Sequence, residues 1–152
     1  MEHELIPVRA FISPNEAFFE EFAKLSDTPL INTRGTGSMF SLICPDRDAF
    51  DSLLGEIGMH EEDTPRLRET FDKLSLGGRP VAVFFSDERS GSNRIDLRSA
   101  NEEGESLSVE MIRRRGLTMD MAYTFFFMTV GDGIRKVVRA EVTDSEEEAR
   151  IW

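Results

Sequence analysis

The chain has little of the chemistry on which most enzymes depend. It contains a single cysteine, Cys44, and only two histidines, His3 and His60. One cysteine excludes an internal disulfide framework, and two scattered histidines argue against a Ser-His-Asp or Cys-His catalytic centre. We therefore expect no enzymatic activity, no catalytic residue, no metal site and no cofactor.

Long apolar runs are absent as well. No stretch approaches the roughly 18 apolar residues that a membrane-spanning helix requires, and the N-terminal residues show no basic-then-apolar signal peptide. Charged residues make up 31% of the chain, and its mean hydropathy is -0.32. These features predict a cytoplasmic protein that has no membrane partner.

Positive charge is scarce. The chain has 18 Lys and Arg residues against 29 Asp and Glu, which gives a net charge of -11. An anionic surface opposes direct binding to nucleic acid or to anionic membranes. Residues 1–76 hold 15 of the acidic residues and 7 of the basic ones, so we expect the acidic face in the first half of the chain.

Apolar residues are frequent enough for a folded core. They make up 39% of the 152 residues, and 12 of them are phenylalanine. A chain of this length suits one domain. We expect residues 1–152 to form that domain, with residues 144–152 as a short helix or a tail.

The first half alternates between strand and helix patterns. Residues 5–12 predict a strand, and "SPNE" at 13–16 then supplies a capping box that starts a helix. Residues 28–44 predict a hairpin around Arg34–Gly37, because a phosphate-binding glycine loop would need a following Lys-Ser/Thr. Amphipathic helices should occupy residues 45–58 and a segment that starts at Thr64.

From residue 79 the apolar period changes to two, which is typical of strands. Strands are predicted over residues 80–85, 94–99, 106–112, 122–130 and 134–142, and Gly131-Asp132-Gly133 predicts a hairpin between the last two. The chain should therefore adopt an α+β fold. We expect a mostly antiparallel sheet of about five to eight strands with two or three amphipathic helices packed on one face.

The segment "AYTFFFMTV" at 122–130 is apolar on both faces of its strand. Tyr123, Phe125 and Phe127 point to one side, and Phe126 and Met128 to the other. Either the strand is central and loops or the C-terminal segment cover its second face, or one face contacts a partner or a second copy of the chain.

Three further features have an ordinary interpretation and a functional one. Cys44 precedes a helix, a position at which the pKa of a thiol can be lowered. The ordinary interpretation is that Cys44 is a small side chain buried in the core. "HEED" at 60–63 could offer oxygen ligands to a cation, although a solvated loop explains it. The basic block Arg113, Arg114 and Arg115 is either a phosphate or acidic-partner site or an inter-strand connection that offsets nearby glutamates.

These observations favour a small acidic protein that binds another protein. It would inhibit or shield a basic site on its partner, in the manner of a nucleic-acid mimic, an anti-defence protein or a toxin-neutralising immunity protein. The predicted partner-binding residues are Glu16, Glu20, Glu21, Asp46, Asp48, Asp51, Glu61, Glu62, Asp63, Tyr123, Phe125 and Phe127.

Two alternatives stay open. The segment "NEAFFEEFAKLSDTPLINTRGTGSMFSLIC" at 15–44 resembles in architecture the opening of type III secretion chaperones. That resemblance implies a homodimeric chaperone or adaptor, although the helix order and the strand-rich second half depart from the pattern. The other alternative is a small enzyme that carries no recognisable motif.

Overall fold

The computed structural model describes residues 3–10, 16–27, 39–88, 93–114, 116 and 122–145. These residues form three helices and seven strands. Their bounds, in chain order, are β1 Ile6–Ala10, α1 Glu16–Leu25, β2 Met39–Cys44, α2 Arg47–Ile57, α3 Thr64–Leu74, β3 Val81–Glu88, β4 Arg94–Glu103, β5 Ser106–Arg114, β6 Ala122–Thr129 and β7 Lys136–Asp144.

The strands form two sheets. The first has the order β1-β6-β3-β2, and all of its neighbours are antiparallel. The second has the order β4-β5-β7, in which β4 and β5 are antiparallel and β5 and β7 are parallel. The predicted α+β class with mostly antiparallel strands is thus confirmed.

The first sheet is the middle of three layers. On one face, Phe85, Phe125 and Phe127 pack with residues of all three helices. On the other face, Phe84 and Phe126 pack with residues of the second sheet. A strand covered on both sides reads as a continuous apolar run instead of an alternating one, which accounts for "VAVFF" in β3 and "FFFM" in β6.

Aromatic rings fill the space between the helices and the first sheet. Phe18 of α1 meets Phe85 edge-on, with ring centroids 4.8 Å apart. Phe50 of α2 stacks on Phe71 of α3 at 4.5 Å and meets Phe127 edge-on at 5.7 Å. Offset and edge-to-face ring pairs add to the stability that their burial provides, so these contacts fix the helical layer on the sheet.

Neither interpretation of the aromatic strand is fully correct. Phe125, Phe126, Phe127 and Met128 are all buried, so no face of β6 is exposed to a partner. The strand is central, as the first interpretation held, but a second sheet covers its other face, not loops. Residues 146–152, which include Trp152, lie outside the described part of the chain.

The predicted hairpin between the last two strands is wrong. β6 lies between β1 and β3, so both of its edges are already paired. Ile134 N–H donates to the Gly131 carbonyl at 3.0 Å, and the chain then crosses to the second sheet. There β7 pairs with β5 in parallel, with Val137 beside Leu107 and Ala140 beside Val109 on the buried face.

The helix predictions for residues 45–74 are confirmed. The Asp46 carboxylate accepts the Ala49 N–H at 2.8 Å and caps α2. Gly58 ends that helix with φ of 69°, a left-handed conformation that glycine adopts without strain. Two sequence predictions cannot be placed, because the Ser13–Pro14 helix start and the first part of the 28–44 hairpin lie outside the described ranges.

Side chains occupy outward backbone groups on both edges of the first sheet, β1 and β2. Pro7 in β1 has no N–H to offer, and Arg66 Nη2 donates to the outward carbonyl of Arg9 at 2.9 Å. Along β2, the Ser26 hydroxyl accepts the Ser41 N–H at 2.8 Å. Such devices prevent edge-to-edge association of strands.

Asp27 links the β2 edge of the first sheet to the β7 edge of the second sheet. Its N–H donates to the Ser41 carbonyl of β2 at 2.8 Å, while its carboxylate accepts the Val137 N–H of β7 at 2.9 Å. One residue at the end of α1 thereby joins the first sheet to the second.

The three-layer arrangement predicts that both faces of β6 are intolerant of charge. Phe125→Asp and Phe126→Asp should each abolish cooperative thermal unfolding, because each buries an unpaired carboxylate. Val138→Asp is the control, since this apolar side chain is 47% exposed, and we expect it to remain folded. A folded Phe126→Asp variant would contradict the second-sheet contact.

Candidate interaction surface

The outer surface of the helical layer carries uneven charge. Residues 16–27 and 45–79, which supply this layer, contain 13 acidic and 6 basic residues. Their acidic side chains fall into two groups. Some are held by arginine or lysine within the fold, and others have no such partner.

The first group includes a network that joins α2 to α3. Arg47 Nε lies 3.0 Å from Asp51 Oδ1, and Arg68 Nε lies 2.8 Å from the same oxygen. Arg47 Nη1 also lies 2.5 Å from Asp72 Oδ2. Partial desolvation raises the pKa of Asp51, but the hydrogen bonds from Arg47 and Arg68 outweigh it, and the net pKa is below its ordinary value.

Asp63 belongs to the same group and is fully buried. Its Oδ1 lies 2.7 Å from Arg66 Nη2, which also donates to the Arg9 carbonyl. The pair thus fastens the start of α3 to the edge strand β1. We remove Asp63 from the predicted contact set, because a buried, paired carboxylate is not accessible to a partner.

The second group forms an exposed strip. Asp48 and Glu56 are both exposed, and their spacing of eight residues puts them on the same outward side of α2. Glu61 and Glu62 follow in the exposed turn before α3. None of these four makes an ion pair with another described residue, and we call them the acidic strip.

The other predicted acids lie at or beyond the borders of this strip. Asp46 is exposed but caps α2. Glu20 is exposed on α1, and Glu21 lies 3.3 Å from Lys24 Nζ. Glu16 begins α1, but its side chain is outside the described set. Glu56 was not predicted, although its spacing from Asp48 was a readable signal.

A groove of mixed polarity lies between α2 and α3. It has a volume of about 440 Å³ and is lined by apolar residues, among them Met59 and Pro65, and by polar ones, namely Asp51, Glu61, Thr64 and Arg68. A second depression of about 440 Å³ continues from Pro65 along α3 to Leu76, whose side chain is 73% exposed. We call these two together the α2–α3 groove.

The predicted aromatic contacts do not contribute to this surface. Phe125 and Phe127 are fully buried beneath the helices. Tyr123 is partly buried and packs near Phe19, with ring centroids 6.3 Å apart. The apolar contacts available on the helical side are instead those of the α2–α3 groove.

Cys44 has the properties of a core residue. It is buried, and burial, followed by the nearby Asp46 carboxylate, raises the pKa of its thiol to about 12. A thiol with this pKa is protonated at neutral pH and is a poor nucleophile.

The "HEED" segment is part of the exposed turn and the α3 start. His60 Nδ1 accepts the Glu62 N–H at 3.2 Å. Within the described ranges, no three His, Cys, Asp or Glu side chains converge as they would around a metal ion. No described helix is long and apolar enough to cross a bilayer.

The predicted basic block is not one patch. Arg113 is buried and its Nη1 lies 3.2 Å from Asp144 Oδ1. Arg114 points to the other face of β5, where its Nη1 lies 2.6 Å from Asp96 Oδ2. Arg115 is outside the described residues. Arg113 and Arg114 both lie within β5 and pair with aspartates, so the expected inter-strand connection that offsets nearby glutamates is wrong for these two residues.

Comparison of the chain with protein-family models, with curated proteins and with solved structures gives no match. The functional proposal is therefore based on the geometry of the helical surface.

The Asp51 network predicts a pH-dependent contribution to stability. Because the folded-state pKa of Asp51 is lowered, its contribution is complete at neutral pH and is lost as the pH falls through that lowered value. Asp51→Asn should reduce the free energy of unfolding at pH 7 by at most about 1 kcal/mol, since the network is partly exposed. Urea unfolding at pH 7 and pH 3 should show a smaller difference between variant and wild type at pH 3. An equal difference at both pH values would contradict the assignment.

Proposed function

We propose that this chain is a protein-binding protein that shields a basic site on a partner. The acidic strip and the α2–α3 groove would form its contact surface. The observation that supports this proposal is that Glu61, an exposed carboxylate that forms no ion pair with another described residue, borders the α2–α3 groove, along which Pro65 and Leu76 are exposed.

The two parts of the surface have different physical roles. The carboxylates of the acidic strip, which pair with no described arginine or lysine, attract an approaching cationic surface, and this attraction raises the association rate. The apolar part supplies contacts that exclude water and slow dissociation. An interface of this kind has an apolar centre and a charged rim.

The outer face of the second sheet offers a contrast within the same molecule. There Arg139 Nη2 lies 3.1 Å from Glu110 and 2.6 Å from Glu141, and Arg114 pairs with Asp96. Internal pairing of this kind leaves little charge for a partner. The charge asymmetry favours the helical side as the docking side.

A basic site fits this surface better than a second copy of the chain. Two acidic strips brought together would repel, whereas a partner rich in arginine or lysine would be attracted. A nucleic-acid-binding site on another protein has the required charge, and occupying it would block its natural ligand.

Charge reversal of the strip should abolish partner binding. The test variant is Asp48→Lys, Glu61→Lys and Glu62→Lys in one chain. Its matched control is Glu103→Lys, Glu105→Lys and Asp132→Lys, which changes the net charge equally at exposed positions outside the helical layer. Each of the three chains is used to capture proteins from the native host, and the captured proteins are identified by mass spectrometry. The candidate partners are the proteins that bind the wild type and the control but not the test variant.

The affinity of each captured protein is then measured at two salt concentrations. We expect the strip variant to bind at least about tenfold more weakly and wild-type binding to weaken with salt, since screening reduces the attraction. Capture of the same proteins by both variants, or binding that high salt leaves unchanged, would overturn the proposal.

A further inference from the structure

The strand β4 lies at an edge of the second sheet. It is ten residues long and pairs with β5 on one side. The edge strands β1, β2 and β7 each have a backbone group that is hydrogen-bonded to a side chain, that of Arg66, Ser26 or Asp27. Among the described residues, no segment bonds in this way to the open side of β4. An edge of this kind presents N–H and C=O groups with which another strand can pair.

The charged side chains of β4 differ along the strand. Arg94, Arg98 and Glu103 are exposed, and none of them forms an ion pair with another described residue. The arginines lie in the first half of the strand and the glutamate lies at its end. Charges of one sign protect an edge, because two copies repel each other. Two copies of β4 that run antiparallel instead bring the arginines of one strand toward the glutamate of the other.

The two faces of β4 determine the register of such a pairing. The residues that point to the core between the sheets lie opposite buried residues of β5, and they are Ile95, Leu97, Ala100 and Glu102. An irregularity between Leu97 and Ser99 interrupts the alternation of faces. One antiparallel register places every core-facing residue of one copy opposite a core-facing residue of the other. In that register, Leu97 of each copy lies opposite Ala100 of the other.

The same register also matches the charges on the outer face. Arg94 of each copy lies opposite Glu103 of the other, so the two-fold symmetry produces this pair twice. Opposite charges on directly facing residues stabilise an antiparallel pair of strands. The faces and the charges of β4 are therefore complementary to those of a second β4 in a single register.

We propose that two copies of this chain form a dimer by antiparallel pairing of β4 with β4. The contact joins the two second sheets into one continuous sheet. It also places Leu97, which is only partly buried, beside an apolar side chain of the second copy, and this removal of apolar surface from water is favourable. The helices pack on the far face of the first sheet, so the acidic strip of each copy stays open.

The first test is the molar mass of the wild type, measured by sedimentation equilibrium over a range of protein concentrations. We expect the mass to rise with concentration from the 17.3 kDa of one chain to twice that value. A mass of one chain at every concentration, or growth beyond two chains, would overturn the proposal.

A charge swap tests the register. Arg94→Glu and Glu103→Arg should each raise the dimer dissociation constant at least about tenfold, because each places like charges opposite each other twice. The double variant Arg94→Glu/Glu103→Arg has the net charge of the wild type and forms both pairs with the signs exchanged. Its dissociation constant should return to within about threefold of the wild-type value.

The control for the charge swap is Arg79→Glu, which changes the net charge as Arg94→Glu does. Arg79 is exposed and lies outside the helices and strands, so this variant should dimerise nearly as well as the wild type. Equal weakening by Arg79→Glu and Arg94→Glu, or a double variant that dimerises no better than the single ones, would refute pairing through β4.

The dimer and the shielding function can fail independently. Shielding needs the helical surface of one copy, so the Glu103→Lys/Glu105→Lys/Asp132→Lys control of the capture experiment is expected to bind the partner as a monomer. A monomeric wild type that still captures its partner would overturn the dimer alone. A dimer whose capture of proteins is unaffected by reversal of the acidic strip would overturn shielding and support the pairing of β4.

Discussion

The burial of β6 on both faces is the constraint on which the rest of the structure depends. Its phenylalanines point alternately to the helices and to the second sheet. A strand of this kind cannot lie at a surface, so the chain must supply two separate covers for one sheet. The helical cover and the sheet cover then present two outer surfaces of different chemistry to solvent.

The two outer surfaces differ in how their charges are used. On the second sheet, Arg114 pairs with Asp96 of the neighbouring strand, and Arg139 pairs with Glu110 of the neighbouring strand and with Glu141 of its own. In the helical layer, arginines fasten α2, α3 and β1 together, while the acidic strip forms no ion pair with the described part of the chain. The helical side therefore combines exposed carboxylates that pair with no other described residue with a groove along which Pro65 and Leu76 are exposed, and protein-docking surfaces commonly combine charged and apolar groups.

The helices, most of the strands and the acidic character of the protein could be predicted from the sequence. The helix predicted over residues 45–58 agrees with α2, and the change of apolar period at residue 79 marked the start of the later strands. It did not allow prediction of the second sheet, because an apolar face at Phe126 or Met128 does not specify what covers it. The burial of Asp63 could not be predicted for the same reason, since Arg66, its partner, also donates to the Arg9 carbonyl of a strand that is distant in the chain.

The most direct test of the two-cover arrangement is native-state hydrogen exchange of the amides in β3 and β6. If both faces of the first sheet are covered, amides 82–85 and 124–128 should exchange only through global unfolding, with protection equal to the full free energy of unfolding. Rapid exchange of the β6 amides under conditions where α2 and α3 stay protected would contradict the account.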